Sequence, residues 1–250
     1  MSFRPLLHQL PRRLLASAST ASFRLPLSTP FRATFTTTTT TTFKMADTKL
    51  SAAGLLAYVK NRRTHYPLSK DVPLSNEQID KIVSEALQEV PSSFNSQSNR
   101  AVVLHGTHHD KLWDITHDAL KAIVPAEAFE ATAGKIAMFK AAAGTVLFFE
   151  DQDVVNGLQQ NFAAYADKFP IWADQSGGML QFAIWTALEA EGLGANLQHY
   201  NPIIDAQVAA EWKVPSSWKL NAQLVFGGIT AELSPKEYKP LEEKFKSFSS

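Results

Sequence analysis

Three short segments carry side chains whose chemistry exceeds what packing alone asks for. Asn61-Arg62-Arg63-Thr64 places two guanidinium groups and a hydroxyl in consecutive positions. Such a set can surround a phosphate with charge-assisted, bidentate hydrogen bonds. Cations at the end of a helix also favour its macrodipole, which is the plainer account of the same residues. Pro91-Ser92-Ser93-Phe94-Asn95-Ser96-Gln97 clusters hydroxyls and amides between two regular segments, and Asn99-Arg100 follows closely. Turn chemistry explains Ser92, Ser93 and Asn95. It does not explain Gln97 followed by Asn99-Arg100, whose amides pair donor and acceptor edges as a flavin pyrimidine would require. Gly192-Leu193-Gly194-Ala195-Asn196-Leu197-Gln198-His199-Tyr200 is the third segment. Its glycines let the backbone approach a flat ligand, with an N–H free to meet the flavin N5. The same glycines serve equally as a helix cap, and the third glycine of a dinucleotide fingerprint is missing. Together the segments point to bound flavin mononucleotide, whose ring would carry the redox chemistry with no catalytic side chain.

The elements that must position these groups are legible from periodicity. Leu55, Leu56 and Val59 share one face of a helix that runs into Asn61-Arg62-Arg63, with Pro67 blocking its continuation. Ser75 and Gln78 form a capping-box signature ahead of an apolar stripe, Ile79, Ile82, Val83, Ala86, Leu87 and Val90, that Pro91 ends. A strand over 101–105, helices over 110–123 and 126–141, and a buried strand over 145–149 follow. The longest helix is predicted over 175–191, with Leu180, Ala183, Ile184, Ala187 and Leu188 on one stripe and Gly192 and Gly194 at its end. A strand near 195–198, a helix over 203–212 and a strand over 220–226 complete the body. Short strands scattered among more numerous helices predict an α+β layered fold around one small sheet.

Composition narrows the function. Hydrophobic residues are 45% and charged residues 19%, as in globular proteins. The absence of cysteine excludes disulfides, thiolate metal sites and a cysteine nucleophile. No apolar run is long enough to span a membrane. The chain has 24 basic and 24 acidic residues, but Arg4, Arg12, Arg13, Arg24, Arg32 and Lys44 fall in an acid-free opening stretch, so the remainder carries six more acids than bases. That balance disfavours nucleic acid as a partner. The opening stretch, residues 1–44, is rich in Arg, Ser and Thr and ends in the threonine run 36–42. It has the composition of a mitochondrial transit peptide, which predicts a mitochondrial protein. A second start at Met45 would instead leave residues 45–250 as a cytoplasmic or nuclear protein.

With these residues in view, the chain resembles the FMN-dependent nitroreductase family, and within it the fungal branch associated with lipid-signalling and oxidative-stress phenotypes. The resemblance rests on the three segments above together with Trp185-Thr186-Ala187-Leu188-Glu189 and Gln223-Leu224-Val225-Phe226-Gly227, in the family's order across residues 50–248. It implies a three-layer α/β/α sandwich with a small, mostly antiparallel sheet and an intertwined homodimer with shared flavin sites. It implies further that Arg62, Arg63 and Thr64 hold the flavin phosphate and ribityl chain, helped by Lys236. Ser93, Asn95 and Gln97 would approach the flavin from the neighbouring subunit, and Leu197, Gln198 and His199 would line the ring near N5. Tyr66 departs from the pattern, since many members carry Lys or Arg there to face the flavin ring. The activity implied is hydride transfer from NAD(P)H through FMN to a nitroaromatic or quinone-like acceptor. A flavin-binding regulator with little turnover is the alternative that Tyr66 leaves open. Within the longest helix, Gly177, Gly178, Ala183 and Ala187 would let two copies approach closely.

Other groupings carry less. His105, His108, His109 and His117 invite a metal reading, but only Asp110 and Asp114 accompany them and the spacing belongs to a strand end and a helix start. Trp172, Trp185, Trp212 and Trp218 read as core rather than as a platform.

Overall fold

The computed structural model describes residues 51–250, so the transit-peptide reading of residues 1–44 lies outside the described residues. Five strands form one antiparallel sheet: β1 (Leu68–Ser69), β2 (Asn99–His105), β3 (Gly144–Asp151), β4 (Leu193–Gln198) and β5 (Trp218–Ile229). β5 is the spine. β3 pairs along it from Gly144 opposite Phe226 to Asp151 opposite Trp218, β1 meets its end at Gly228 and Ile229, and β4 runs opposite residues 223–228. β2 pairs only with β3 and forms an outer edge.

Period-two alternation divides the sheet between two cores. Val146 and Phe148 of β3 join Leu224 and Phe226 of β5 on one face. There they meet Ile79 and Val83 of α2 (Asn76–Glu89) and Leu180, Ile184 and Leu188 of α6 (Phe169–Ala190). Leu147, Phe149 and Val225 face the other way, onto Leu112 and Trp113 of α3 (Gly106–Lys121), Ile136 and Phe139 of α4 (Ala126–Lys140), and Val208 of α7 (Asp205–Trp212). Leu220 and Ala222 fall in opposite cores although two residues apart, because a bulge between Phe148 and Phe149 lets β5 skip a position. The result is the expected three-layer α/β/α arrangement.

The helices follow their local signals with three exceptions. The Ser75 and Gln78 capping box is present, with Gln78 N–H donating to Ser75 Oγ and Ser75 N–H to Gln78 Oε1. α6 begins well before the predicted 175, because Phe169-Pro170 opens it. Proline is tolerated in a first turn, where its missing N–H has no intrahelical partner anyway. α5 (Gln152–Asn161) was not foreseen; its cap is Asp151, whose carboxylate accepts from Asp153 N–H. The third exception is α1 (Ala52–Asn61), whose shared apolar face is not buried: Leu55 is 62% and Leu56 61% exposed. β1, only two residues long, had no periodicity to reveal it.

The four histidines separate onto different protein partners. His105 pairs with Asp80, His108 accepts from Trp212 Nε1–H, His117 meets Asp118, and buried His109 hydrogen-bonds Thr145 Oγ1. Of the tryptophans, Trp113 is fully buried, while Trp172, Trp185, Trp212 and Trp218 are half-buried against the cores.

Candidate functional site

Residues 62–66 leave the end of α1 as an extended strap laid against β4. Thr64 bridges to Ala195 in parallel, His65 N–H donates to Ala195 O at 3.0 Å, and Asn196 Nδ2 donates to His65 O at 2.8 Å. Successive side chains of an extended backbone point to opposite sides. Arg62 and Thr64 therefore line one cavity of about 370 Å³, together with Gly178, Gln181, Phe182, Trp185 and Leu197. Arg63 and His65 line another, of about 870 Å³, with Lys60 and Lys236. Three consecutive residues do not close around a single point, as their adjacency suggested; the strap distributes them to two faces.

Each arginine has a defined seat. The Arg62 guanidinium carbon lies 4.4 Å from the centre of the Trp185 ring. Arg63 Nη2 donates to Ser234 O at 2.9 Å, tying the strap to the C-terminal stretch. Among the described residues, neither arginine forms an ion pair with a carboxylate side chain. Lys236 is exposed, with its ammonium 5.3 Å from the Tyr238 ring centre.

Glu189, which closes the matching Trp185–Glu189 segment but has no role assigned by the resemblance, joins the strap to α6. Its Oε2 accepts from the Arg63 backbone N–H and its Oε1 from Trp185 Nε1–H, both at 2.7 Å. Burial pushes this carboxyl up to about 7, while those two donors and the Arg62 charge pull the other way. The signal available in the sequence was the one-turn spacing of Trp185 and Glu189, which puts both on one helix face. His65 is held below its ordinary range by burial and by the neighbouring Arg63.

The 91–97 loop is built differently from the strap. Residues Ser93–Asn95 make one 3₁₀ turn, and Phe94, Asn95 and Gln97 all sit at positive φ, near +50° to +57°. Non-glycine residues there are strained, and clusters of such residues gather where geometry serves a site. Gln97 N–H donates to Ser92 Oγ at 2.8 Å, and Gln97 O accepts from Arg100 Nη1 at 2.6 Å. Arg100 also pairs with Asp151 at 2.9 Å, and buried Asn99 stands opposite Glu150 in the sheet. Asn99-Arg100, left unexplained by turn chemistry, thus has a structural role at the β2–β3 edge. The side chains of Asn95 and Gln97 remain exposed. Ser93 lines a recess with Trp172 and Met179, and Gln97 a smaller one with Leu87 and Arg100. Neither recess includes a strap residue, so a single chain does not bring Ser93, Asn95 and Gln97 together with Arg62 or Arg63.

At β4, Leu197 reaches the Arg62 cavity, Gln198 Nε2 donates to Asn196 Oδ1 at 2.8 Å, and His199 is exposed. Gly192, at φ +88°, is the expected left-handed cap. Gly194 is neither a cap nor a platform for a flat ligand: it lies inside β4, where a Cβ would come within 2.9 Å of Ile229, Leu68 and His65. The close approach there is between protein segments. Tyr66 is 50% exposed, just past the strap's last bond to β4.

Comparison with known proteins agrees with this architecture. A family described as the nitroreductase family matches residues 59–228. The Saccharomyces cerevisiae protein HBN1 is 41% identical over 190 residues, covering 75% of this chain and 94% of the yeast protein. The nitroreductase CinD from Lactococcus lactis, solved with nicotinic acid, is 47% identical with a TM-score of 0.73, covering 78% of this chain and all of CinD. CinD has also been solved with chloramphenicol and with 4-nitrophenol. A more distant Desulfovibrio desulfuricans structure in complex with FMN shares the fold at 18% identity and a TM-score of 0.57, covering 78% of this chain and 98% of that one.

Proposed function

The chain belongs to the nitroreductase family, and on that premise we propose that it is an FMN-dependent oxidoreductase passing hydride from NAD(P)H to nitroaromatic or quinone-like acceptors. The observation that carries the reading is the Arg62 cavity. Half-buried Arg62, whose guanidinium has no carboxylate at ion-pair distance among the described residues, the Thr64 hydroxyl and the Leu197 edge converge there. Unpaired, partly desolvated arginine is suited to a phosphate, because its fork matches two phosphate oxygens. When bound, FMN would supply the hydride-accepting and hydride-donating ring. The chain's own residues would bind and orient. Arg62 and Thr64 would take the phosphate and ribityl chain, with Arg63 and Lys236 adding positive charge from the strap's other face. Leu197, Gln198 and His199 would border the ring. The complexes of CinD with 4-nitrophenol and of the Desulfovibrio protein with FMN support the same ligand classes here.

The strap and the 91–97 loop line separate cavities in one chain, which supports a site completed by a second copy, with Ser93, Asn95 and Gln97 donated across the interface. Exposed apolar residues of α1 (Leu55, Leu56, Tyr58), of α6 (Met179, Phe182) and of the C-terminal stretch (Leu241, Phe245, Phe248) offer the surface such a partner would cover. Gly178, exposed on α6 beside them, allows close helix approach. Light scattering on the purified protein should give twice the chain mass; a monomer that retains full flavin would refute the shared site.

Visible absorbance of the purified chain, before and after anaerobic NAD(P)H, tests the core reading. A flavin spectrum that bleaches and then recovers on adding a nitroaromatic is expected; a colourless protein that takes up no FMN would end it. Tyr66, exposed and uncharged where a cation would steady reduced flavin, favours a second reading, a flavin-binding regulator with little turnover. Steady-state NAD(P)H oxidation with a nitroaromatic separates the two. The acid-free composition of residues 1–44 supports mitochondrial import, which fusion of that segment to a fluorescent reporter would check.

A further inference from the structure

We propose that Glu189 is a positioning residue, whose ionised carboxylate locks the Arg62–Thr64 strap and the Trp185 ring together so that Arg62 is presented to the flavin phosphate. The inference rests on the flavin reading above and adds to it a residue that touches neither cofactor nor acceptor.

The geometry is closed on both sides of the carboxylate. One oxygen accepts from the Arg63 backbone N–H, which lies just past the last turn of α1 and has no other acceptor among the described residues. The other accepts from the indole N–H of Trp185, one helical turn earlier on α6. That bond fixes the ring on which the Arg62 guanidinium rests, 4.4 Å away. A single side chain thereby sets both the backbone that carries Arg62 and the surface that supports it. Packing alone does not call for a charge here. A buried carboxylate is costly to desolvate, and a negative group beside a phosphate site opposes the ligand it helps to bind. An amide or a water could satisfy the Arg63 N–H at lower cost. Only an ionised carboxylate offers two acceptors to two N–H donors at once, since a protonated acid or an amide turns one of its two ends into a donor.

Protonation should therefore open the lock. Burial lifts the group to about 7, so the lock is half-formed near neutral pH in the ligand-free protein. The groups facing it are the Arg62 charge and Arg63 N–H from the strap, the Ala195 backbone from β4, and Trp185 on α6 itself. Among these, only Arg62 carries charge, and it does not titrate in this range.

The test is the pH dependence of FMN affinity, read from quenching of flavin fluorescence on titration into flavin-stripped full-length protein. Wild type should lose affinity as pH falls through about 7. Glu189→Gln should bind FMN roughly tenfold more weakly above that pH, the loss of one charge-assisted hydrogen bond, and show no such step. The phosphate's own second ionisation, near about 6, affects both proteins equally, so their difference isolates Glu189. Trp185→Phe keeps a ring under Arg62 but removes one donor, and should move the wild-type midpoint to higher pH. Parallel pH profiles in wild type and Glu189→Gln would overturn the proposal while leaving the flavin reading intact. So would tighter binding of wild type on acidification, which would make the carboxylate merely a repelling charge. Failure of the wild type to bind FMN at any pH would instead remove the flavin reading, and this inference with it.

Discussion

Replacing Arg62 by alanine separates a phosphate-binding role from a packing role, because the two have different ligand signatures. In the structure the guanidinium is half-buried, stacked on Trp185 and unpaired with any carboxylate among the described residues. Two energies are therefore lost on truncation. The cation–π contact contributes about 0.5–1 kcal/mol to the folded chain whether or not ligand is present, and should appear as a small fall in denaturant midpoint. A charge-assisted hydrogen bond to phosphate contributes about 1.5–3 kcal/mol to binding, or roughly 12- to 150-fold in Kd. Partial exposure and salt screening place the expectation in the lower half of that range at physiological ionic strength. Arg62→Lys should recover only part of the loss, since an ammonium keeps the charge but not the fork. The decisive assay titrates the alanine variant with FMN and, separately, with riboflavin, which lacks the phosphate. The FMN affinity should fall by the full factor and the riboflavin affinity hardly at all. Equal losses for both ligands would show that Arg62 acts through Trp185 and the cavity wall, and the phosphate assignment would be wrong.

Three further outcomes follow from the geometry. Tyr66→Lys places a cation beside the strap and should raise the reduction potential of bound flavin and speed turnover; an unchanged potential in a redox titration would show that this position does not face the ring. Gly228→Ala drives a Cβ into the Asp71 carbonyl oxygen and the Ser69 hydroxyl, and should cost about 1–3 kcal/mol in urea unfolding, against no measurable change if the β1 contact yields freely. His109 is buried and held down to about 4 from its ordinary 6.5. It stays neutral when folded while the unfolded chain takes up a proton, so its contribution is intact above pH 6.5 and is lost as pH falls toward 4. The loss reaches about 3 kcal/mol and should flatten in His109→Gln; an identical acid limb in both proteins would exclude it as the source. Glu189 works in the opposite sense, since its raised range makes folding most favourable below its ordinary value of 4.5 and weakens it as pH rises through about 7.

The parts of the fold that read correctly were those with local causes. The Ser75 and Gln78 box, the Pro91 stop, the Gly192 cap and the continuously buried run of β3 each act over a few residues, and each appears as expected. The misses have non-local causes. α5 starts where β3 ends, and β3 runs past the predicted 149 because Glu150 and Asp151 pair with Lys219 and Trp218 of β5; β1 likewise exists only by pairing with the far end of β5. α1 has an apolar stripe that none of the described residues buries, so amphipathicity revealed the helix and concealed that its face is left exposed.

The candidate site divides along the same line. Residue type alone marked arginines, amides and glycines as the chemistry of a phosphate and a heterocycle, because those capacities belong to the side chains. Adjacency in the chain does not say which groups face together: Arg62 and Arg63 are neighbours, yet along the extended strap they line different cavities. Gly194 looked like room for a ligand and proved to be room for Leu68 and Ile229. Glu189 stood in a matching segment without a role, because its importance lies in being buried between an N–H of the distant 62–66 strap and an indole one turn earlier on its own helix. Which groups are present is settled residue by residue; which of them meet, and in what state of charge, depends on burial and on contacts between distant segments, and these exist only once the chain is folded.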